Sequence, residues 1–304
     1  MKLNNYLIAG ILFFTSIALS AQSPDASYLK AKNPPPPKPD SRELLDPTLV
    51  TRLDWQGDFL QVKKIDLKYH NLTEVPALVL RCLNLEELDL AHNQITQIPQ
   101  ALTQLKHLKR LYLNNNQLAA LPDFVPANLT HLEELFVQHN LRGFVLPQNI
   151  AGLSQLKNLI CSHVLQVPDG VWQLTNLQKL RLWYAGLTEL PTNIQQLSNL
   201  EEICLRGNHL TQLPDELFEL KRLNYLSVGE NKLTQMPDAV NNLPLLGYLG
   251  VFDNPMPQLP LQPQLLPNLQ ILSCWNTQLP DVYLQQLQHT MPHLRIFNTT
   301  DNLH

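Results

Sequence analysis

Apolar and polar residues alternate along this chain in a phrase that returns at nearly constant intervals. Residues 205–217 read LRGNHLTQLPDEL, residues 90–102 read LAHNQITQIPQAL, and residues 228–240 read VGENKLTQMPDAV. Within LEELDLAHN at 85–93, the alternation over Leu88–Leu90 has the period of two that a β-strand requires. The aliphatic-Pro pair that follows blocks further strand pairing and favours a short helical or irregular return. Each unit is therefore predicted to contain one short strand and one return segment.

The phrase LxxLxLxxNxLxxLP occurs eleven times, mostly in steps of 23 residues, with two steps of 24, one of 21 and a last of 25. The first leucine of each copy lies at Val62, Leu85, Leu108, Leu132, Leu156, Leu177, Leu200, Leu223, Leu246, Leu269 and Leu294. Because a single unit cannot bury its own leucines, such units stack and share one continuous core. We predict an α/β solenoid over residues 61–304, with about eleven parallel strands on its concave face. Short helical, 3-10 or irregular segments should form the convex face.

The phrase is similar to that of the leucine-rich-repeat superfamily, from about residue 59 to the end of the chain. Its LxxLP ending and 23-residue step resemble the class found in Ras-pathway scaffold proteins and in plant intracellular Ras-group repeat proteins. The resemblance implies a curved horseshoe fold and a protein-binding function. It does not identify the partner, because one fold serves many functions.

An asparagine follows the strand in seven units. Its short amide side chain is expected to form hydrogen bonds with the backbone at the turn and to link neighbouring units. These residues are Asn93, Asn116, Asn140, Asn208, Asn231, Asn254 and Asn302. The position is occupied instead by His70, Val164, Ala185 and Thr277.

The first sixty residues divide into three segments. Residues 1–21 combine Lys2, an apolar run of about fourteen residues and small residues at the end, which is typical of a secretory signal peptide. Residues 22–47 contain four consecutive prolines and are predicted to be a disordered linker. Residues 48–60 regain Leu53, Trp55 and Phe59, which we expect to cap the first repeat. We therefore predict an exported, and by the style of the leader bacterial, protein of the periplasm, cell surface or extracellular space.

Charge and motif content exclude several functions. Removing a leader that contains Lys2 changes the net charge from −4 to about −5, which argues against nucleic acid as a partner. No phosphate loop, zinc helix, nucleophile elbow or paired-cysteine spacing occurs, so we predict no enzyme activity, no cofactor and no metal. After cleavage of the signal, no membrane span is expected.

The four cysteines are predicted to stay unpaired. Cys161 and Cys274 take inward strand positions five repeats apart, about 24 Å at a strand spacing of about 4.8 Å. A disulfide requires Cα atoms within about 7 Å. Cys204 faces outward beside Arg181 and Ser227, and Cys82 precedes a strand.

Three histidines, His92, His139 and His163, share one outward offset in their repeats. Two imidazoles in adjacent repeats are able to share a metal ion. Since Asn115 separates His92 from the others and Tyr184 follows His163, no further ligand completes a set, and we interpret these histidines as surface residues.

The outward positions of the two halves differ in chemistry. In the first half the charge alternates from strand to strand, which predicts that side chains of neighbouring strands pair with each other in a ladder of ion pairs. Its members are Lys63-Lys64, Glu86-Glu87, Lys109-Arg110 and Glu133-Glu134. The second half carries aromatic rings and arginines outside the leucine core, with Gly229, Gly247 and Gly250 between them. We predict an exposed partner-binding patch there, consisting of Arg181, Trp183, Tyr184, Arg206, Tyr225, Tyr248, Phe252 and Trp275.

The sequence is also consistent with other roles for the aromatic rings of this face. The rings are able to stack on each other without binding anything, or to bind a glycan or cell-wall carbohydrate, or to belong to an adhesive surface protein with no discrete site. A further irregularity lies at 141–168, where one repeat has an extra residue and the next is two short. It is predicted either to be harmless loop variation or to bend the solenoid beside the aromatic patch.

Overall fold

The computed structural model describes residue 46 and residues 48–299. Within that range twelve parallel strands follow one another in chain order and form one sheet. The strands are β1 (Leu49–Val50), β2 (Lys64–Asp66), β3 (Glu87–Asp89), β4 (Arg110–Tyr112), β5 (Glu134–Phe136), β6 (Asn158–Ser162), β7 (Lys179–Trp183), β8 (Glu202–Cys204), β9 (Tyr225–Ser227), β10 (Tyr248–Gly250), β11 (Ile271–Ser273) and β12 (Arg295–Phe297). The predicted signal peptide, nearly all of the predicted linker, and Asn302 lie outside the described residues.

The predicted repeat register is confirmed for ten of the eleven copies. Leu88 pairs with Ile65 on one side and with Leu111 on the other, and every such inward residue is almost fully buried. The last copy is an exception. Its strand places Ile296 beside Leu272, whereas the predicted start at Leu294 would have placed Phe297 there. Leu294 is buried as expected. Only Arg295 separates it from the strand residue Ile296, so this strand begins one residue earlier than in the other copies.

Short helices form the return segments, as predicted. Among the residues that the structure describes, seven 3-10 helices cover Val79–Arg81, Gln100–Gln104, Ile150–Gly152, Asp169–Gln173, Thr192–Gln196, Asp215–Glu219 and Asp238–Asn242. Two α-helices, α1 (Phe124–Asn128) and α2 (Asp281–Thr290), take the same place in two other repeats. A proline in extended conformation precedes each of the five-residue 3-10 helices, as at Pro99 and Pro214. It ends strand pairing before the helix begins.

The asparagines link neighbouring repeats, which confirms their predicted role in the described range. The Asn208 Nδ2 group donates to the carbonyl of Leu182 in the preceding repeat at 2.9 Å and to Leu205 in its own repeat at 2.7 Å. Its Oδ1 atom accepts the N–H groups of Ala185 and Leu187 from the preceding repeat. Buried backbone groups that would otherwise lack partners are thereby satisfied.

The segment before the first repeat contributes a strand that the sequence pattern does not reveal. Its strand β1 pairs with β2 and raises the strand number from about eleven to twelve. Trp55 and Phe59 contact each other edge to face at 5.0 Å and pack against the core, and the Arg81 guanidinium lies 3.6 Å from the Phe59 ring centre. The prediction for Leu53 was wrong, because this residue is 47% exposed.

The irregular stretch at 141–168 forms a second, minimal ladder at the carboxyl ends of the strands. Gly143 adopts a left-handed conformation, with φ of 77°. The chain then returns Phe144 to the core, where it is fully buried and forms a parallel bridge with Val164. Strand β6, which lies within this stretch, and the following strand β7 are longer than the other strands and pair with each other over five residues.

Candidate functional site

Ion pairs cover the first half of the concave face, as the alternating charges predict. The Glu86 carboxylate lies 3.2 Å from Lys63 Nζ and 2.8 Å from Lys109 Nζ, and Arg110 Nη2 lies 2.8 Å from the Glu87 carboxylate. Hydrogen bonds from the two lysines lower the pKa of the Glu86 carboxyl. Since these side chains remain about one third exposed, each pair contributes little to stability.

Aromatic side chains cover the second half, but most of them are buried, which corrects the prediction of an exposed patch. Phe252 is fully buried. One face of its ring is stacked on Trp275 with ring centres 4.0 Å apart. On the other side, a Cβ atom added to Gly229 would lie only 2.3 Å from the Phe252 ring. The ring therefore lies across the glycine backbone of the neighbouring strand and fills the space that Gly229 was predicted to leave for a ligand.

The column formed by Tyr225 and Tyr248 is closed in the same way. Their rings are stacked with centres 4.2 Å apart and an interplanar angle of 5°. Tyr248 is buried and Tyr225 is half-buried, and burial raises the pKa of both phenols. A Cβ atom on Gly250 would meet the Tyr248 ring at 2.9 Å, so this glycine leaves no room either. Gly247, by contrast, has only ordinary contacts around it.

Trp183 belongs to a small buried cluster on the concave face of the sheet. Its Nε1 group donates to the Cys204 sulfur at 3.0 Å, and Ile160 completes the cluster. Arg181 lies beside it and forms an ion pair with Glu202. Trp183 is 8% exposed, so it supports this part of the face from below.

Tyr184 is the most exposed aromatic residue of the predicted patch, at 40%. Its ring lies across Gly207, and its hydroxyl donates to the Glu230 carboxylate at 2.7 Å. Arg206 Nε donates to the same carboxylate at 2.7 Å. Burial is the main cause that raises the pKa of the Tyr184 phenol to about 12. Tyr184 and Arg206 are thus fixed by one shared acceptor, at the accessible rim of the patch.

One offset of the repeat is left-handed in almost every unit, and it holds the three histidines. His92, His139 and His163 have φ values of 54–56°, and glycine takes this offset at Gly207. His163 stacks on Tyr184 with ring centres 5.1 Å apart. Burial lowers the pKa of all three imidazoles. Among the described residues, no group of three or more His, Cys, Asp or Glu side chains is arranged to hold a metal ion.

All four cysteines are buried free thiols. Burial raises the pKa of Cys161 and of Cys274 to about 12, and that of Cys82 to about 11. Because the thiolate is the reactive form, these three side chains are expected to be inert at neutral pH.

A cleft of about 320 Å³ lies where the strands end, and sequence reasoning missed it. Its lining residues are Arg142, Gly143, His163, Val164, Tyr184, Gly186, Gly207 and His209. One signal was present in the sequence. The residue after the asparagine position is polar in most repeats, but reads Leu141, Leu165 and Gly186 in three successive units, before His209. The glycine between larger neighbours opens the cleft.

Comparisons with known proteins agree with this geometry. A family model described as Leucine Rich repeats (2 copies) matches residues 83–126, and one described as Leucine rich repeat matches residues 106–165 and 198–256. The chain therefore contains leucine-rich repeats. No curated protein matches the chain.

Solved structures share the fold. A leucine-rich-repeat protein of Leptospira interrogans is 26% identical over 78% of this chain and 72% of that chain, with a TM-score of 0.63. The PEPR1–AtPEP1 complex is 26% identical over 78% of this chain, with a TM-score of 0.64. This chain spans about a third of that one, at 34%. The functional domain of InlJ from Listeria monocytogenes is 22% identical over 83% of this chain and 48% of that chain, with a TM-score of 0.52.

Together with the twelve-stranded parallel sheet, these likenesses define the fold as a leucine-rich-repeat solenoid. In the described part of the chain, no helix has the length and apolar character needed to cross a membrane.

Proposed function

We propose that this chain is an exported, non-enzymatic protein-binding protein that uses the concave face of its solenoid around Arg181–Trp275. The observation that carries the proposal is the fixed arrangement of side chains on that face. Tyr184 and Arg206 share the Glu230 carboxylate, and Tyr225 is held against Tyr248. A surface whose side chains are already ordered loses less conformational entropy when a partner binds.

The burial of the rings divides the predicted contact residues into two groups. Tyr184, Arg206, Tyr225 and Arg181 retain exposed surface and are proposed to contact the partner. The buried rings are proposed to support these four residues and to fix their positions. The buried residues are Trp183, Tyr248, Phe252 and Trp275. Tyrosine and arginine are enriched among the residues that dominate binding energy at protein interfaces.

One structure with the same fold supports a protein partner. One similar structure is the PEPR1–AtPEP1 complex. Another is the plant peptide hormone receptor RGFR1 in complex with RGF2, which is 24% identical over 83% of this chain and 45% of that chain, with a TM-score of 0.60. At this identity the second likeness concerns the fold alone. A glycan partner is less favoured, because sugars stack on open ring faces, whereas Phe252 and Tyr248 are stacked and buried.

The proposal is tested by a pull-down from secreted and envelope material with three baits. These are the wild type, the double variant Tyr184→Ala/Arg206→Gln, and Leu245→Ala, which changes a residue that is 49% exposed outside the concave face. A protein retained by the wild type and the Leu245 variant, and reduced at least tenfold by the double variant, is the expected result. Equal retention by all three folded baits, or no retained protein, would contradict it.

Export is tested separately. Mass spectrometry of the protein recovered from its native host should find a mature N-terminus at residue 21 or 22. An intact Met1 on the mature protein would contradict export by cleavage.

A further inference from the structure

The cleft at the carboxyl ends of β5–β8 differs from the rest of the face in its charge balance. Its lining includes the Arg142 guanidinium and the imidazoles of His163 and His209, but no carboxylate. Elsewhere on the concave face, arginines are paired: Arg181 with Glu202, and Arg206 with Glu230. Within the described residues, Arg142 has no carboxylate partner, and it is exposed. A cationic side chain that lacks an internal partner in a concave site favours an anionic group from outside.

Glycine creates the open space in this cleft. Gly186 has a φ of 68°, and a Cβ atom added there would meet nothing within 4 Å. Gly143, with a φ of 77°, is equally open. The Tyr184 ring lies over Gly207 and stacks on His163, so aromatic side chains form part of the lining. The cleft is therefore bordered by fixed rings and by glycine backbone that an incoming side chain is able to approach closely.

An apolar ridge borders the cleft on its N-terminal side. Leu141, Val145 and Leu165 are 48%, 42% and 72% exposed. Phe144 forms a parallel bridge with Val164, so the residues that follow them, Val145 and Leu165, are neighbours on the outer side. The ridge and the cleft are continuous through the backbone at 142–145 and 163–165. A cluster of large exposed aliphatic side chains beside a polar cleft is typical of an interaction site.

We propose that the cleft and ridge together form a docking site for a partner-protein segment that presents a carboxylate side chain next to aliphatic side chains. The carboxylate pairs with Arg142, whose planar guanidinium suits bidentate binding of a carboxylate. The adjacent aliphatic side chains cover Leu165 and Val145. The inference rests on the proposed protein-binding function but assigns the partner's acidic segment to the edge of the sheet, outside the Tyr225–Tyr248 and Phe252–Trp275 stacks.

The test uses the full chain as the target of a random peptide display library. Selected peptides are expected to carry Asp or Glu within two positions of Leu, Ile, Val or Phe. Their binding is then compared by fluorescence anisotropy on the wild type, Arg142→Glu, Leu165→Ser and Lys232→Glu. The last variant is the matched control, because Lys232 is exposed at the same repeat offset as His209, one repeat beyond the cleft.

Arg142→Glu is expected to weaken the selected peptides at least tenfold, and Leu165→Ser several-fold, while Lys232→Glu leaves them within about twofold. A peptide in which Lys replaces the acidic residue should bind Arg142→Glu more tightly than it binds the wild type. Selection of peptides without acidic residues, no selection at all, or equal weakening by the Lys232 control would overturn the proposal. Retention of an intact partner that is lost in Tyr184→Ala/Arg206→Gln but unchanged in Arg142→Glu would reject the edge site alone and leave the concave-face function standing.

Discussion

The outward-facing positions of the two halves of the concave face carry opposite chemistry. In the first half, Glu86 bridges two lysines and stays partly hydrated. In the second half, Phe252 lies flat across Gly229 beneath Trp275 and has no exposed surface. The comparison shows that a residue outside the leucine core is not thereby a surface residue. Because the neighbouring repeat carries Gly229, the outward Phe252 ring folds down onto the sheet and becomes part of a second core.

The largest expected effect comes from removing a ring from this second core. Phe252→Ala should lower the free energy of unfolding by about 3–5 kcal/mol, because it leaves a cavity between Gly229 and Trp275. Urea unfolding followed by circular dichroism measures the change. A loss below about 1 kcal/mol would mean that the ring behaves as a surface residue and that the two halves do not differ.

The next effect comes from filling the space beneath the ring. Gly229→Ala places a methyl group 2.3 Å from the Phe252 ring and should destabilise the fold by about 1–3 kcal/mol. Gly247→Ala is the matched control, because its nearest neighbour, the Asn224 carbonyl oxygen, would lie 3.6 Å away. Equal stability of the two variants in urea would show that Phe252 does not depend on glycine.

The ionic half should respond weakly and in a salt-dependent way. Glu86→Gln is expected to cost about 0–1 kcal/mol at low salt, and less at about 1 M salt because the pairs are screened. Since the folded-state pKa of Glu86 is lowered by Lys109 and Lys63, its contribution is present above about pH 4.5 and disappears as the pH falls through the lowered value. Urea midpoints of both proteins at two salt concentrations and across pH 3–7 test this. A salt-independent loss would contradict surface ion pairing.

The smallest effect concerns the boundary between the two halves. His139 is exposed, but partial desolvation of its imidazole, followed by the charges of His163 and His92, lowers its pKa, so the folded state favours the neutral form. Its contribution is present above about pH 6.5 and lost as the pH falls through the lower folded value. His139→Asn keeps the left-handed backbone, as Asn115 does at the same offset, and should reduce the loss of stability between pH 7.5 and 5. An unchanged pH profile would show that this histidine is not coupled to folding.

The periodic pattern predicted most of the fold because residues at equal offsets in successive repeats become neighbours in a parallel sheet. Once Leu88 and Leu111 are placed inward, the columns that contain the histidines, charges and rings follow. The direction of a side chain within a column does not follow. Whether Phe252 points to solvent or lies across Gly229 depends on ring packing between strands. The edge cleft was missed because the inserted Arg142-Gly143 lies between repeats and outside every column.

The last copy shows a second limit of periodic reasoning. The pattern places the first leucines of the last two copies, Leu269 and Leu294, 25 residues apart, whereas the paired strand residues Ile271 and Arg295 are only 24 apart. Similarly, Leu53 is apolar but exposed, while Trp55 and Phe59 do cover the core. The sequence predicted a cap and two of its three residues, but not the exposure of Leu53 or the added strand β1.

The asparagine links also affect the order in which the repeats are able to fold during synthesis. The Oδ1 atom of Asn93 accepts the N–H of Leu72, and that of Asn208 accepts the N–H of Leu187, so in both pairs the acceptor comes from the later repeat. A ribosome makes the earlier repeat first. The turn of each repeat is therefore completed only after the next repeat has been synthesised. In a nascent chain, the backbone N–H groups in the last repeat's turn still lack the asparagine Oδ1 atom that accepts them. Folding during synthesis should accordingly trail the emerging chain by about one repeat.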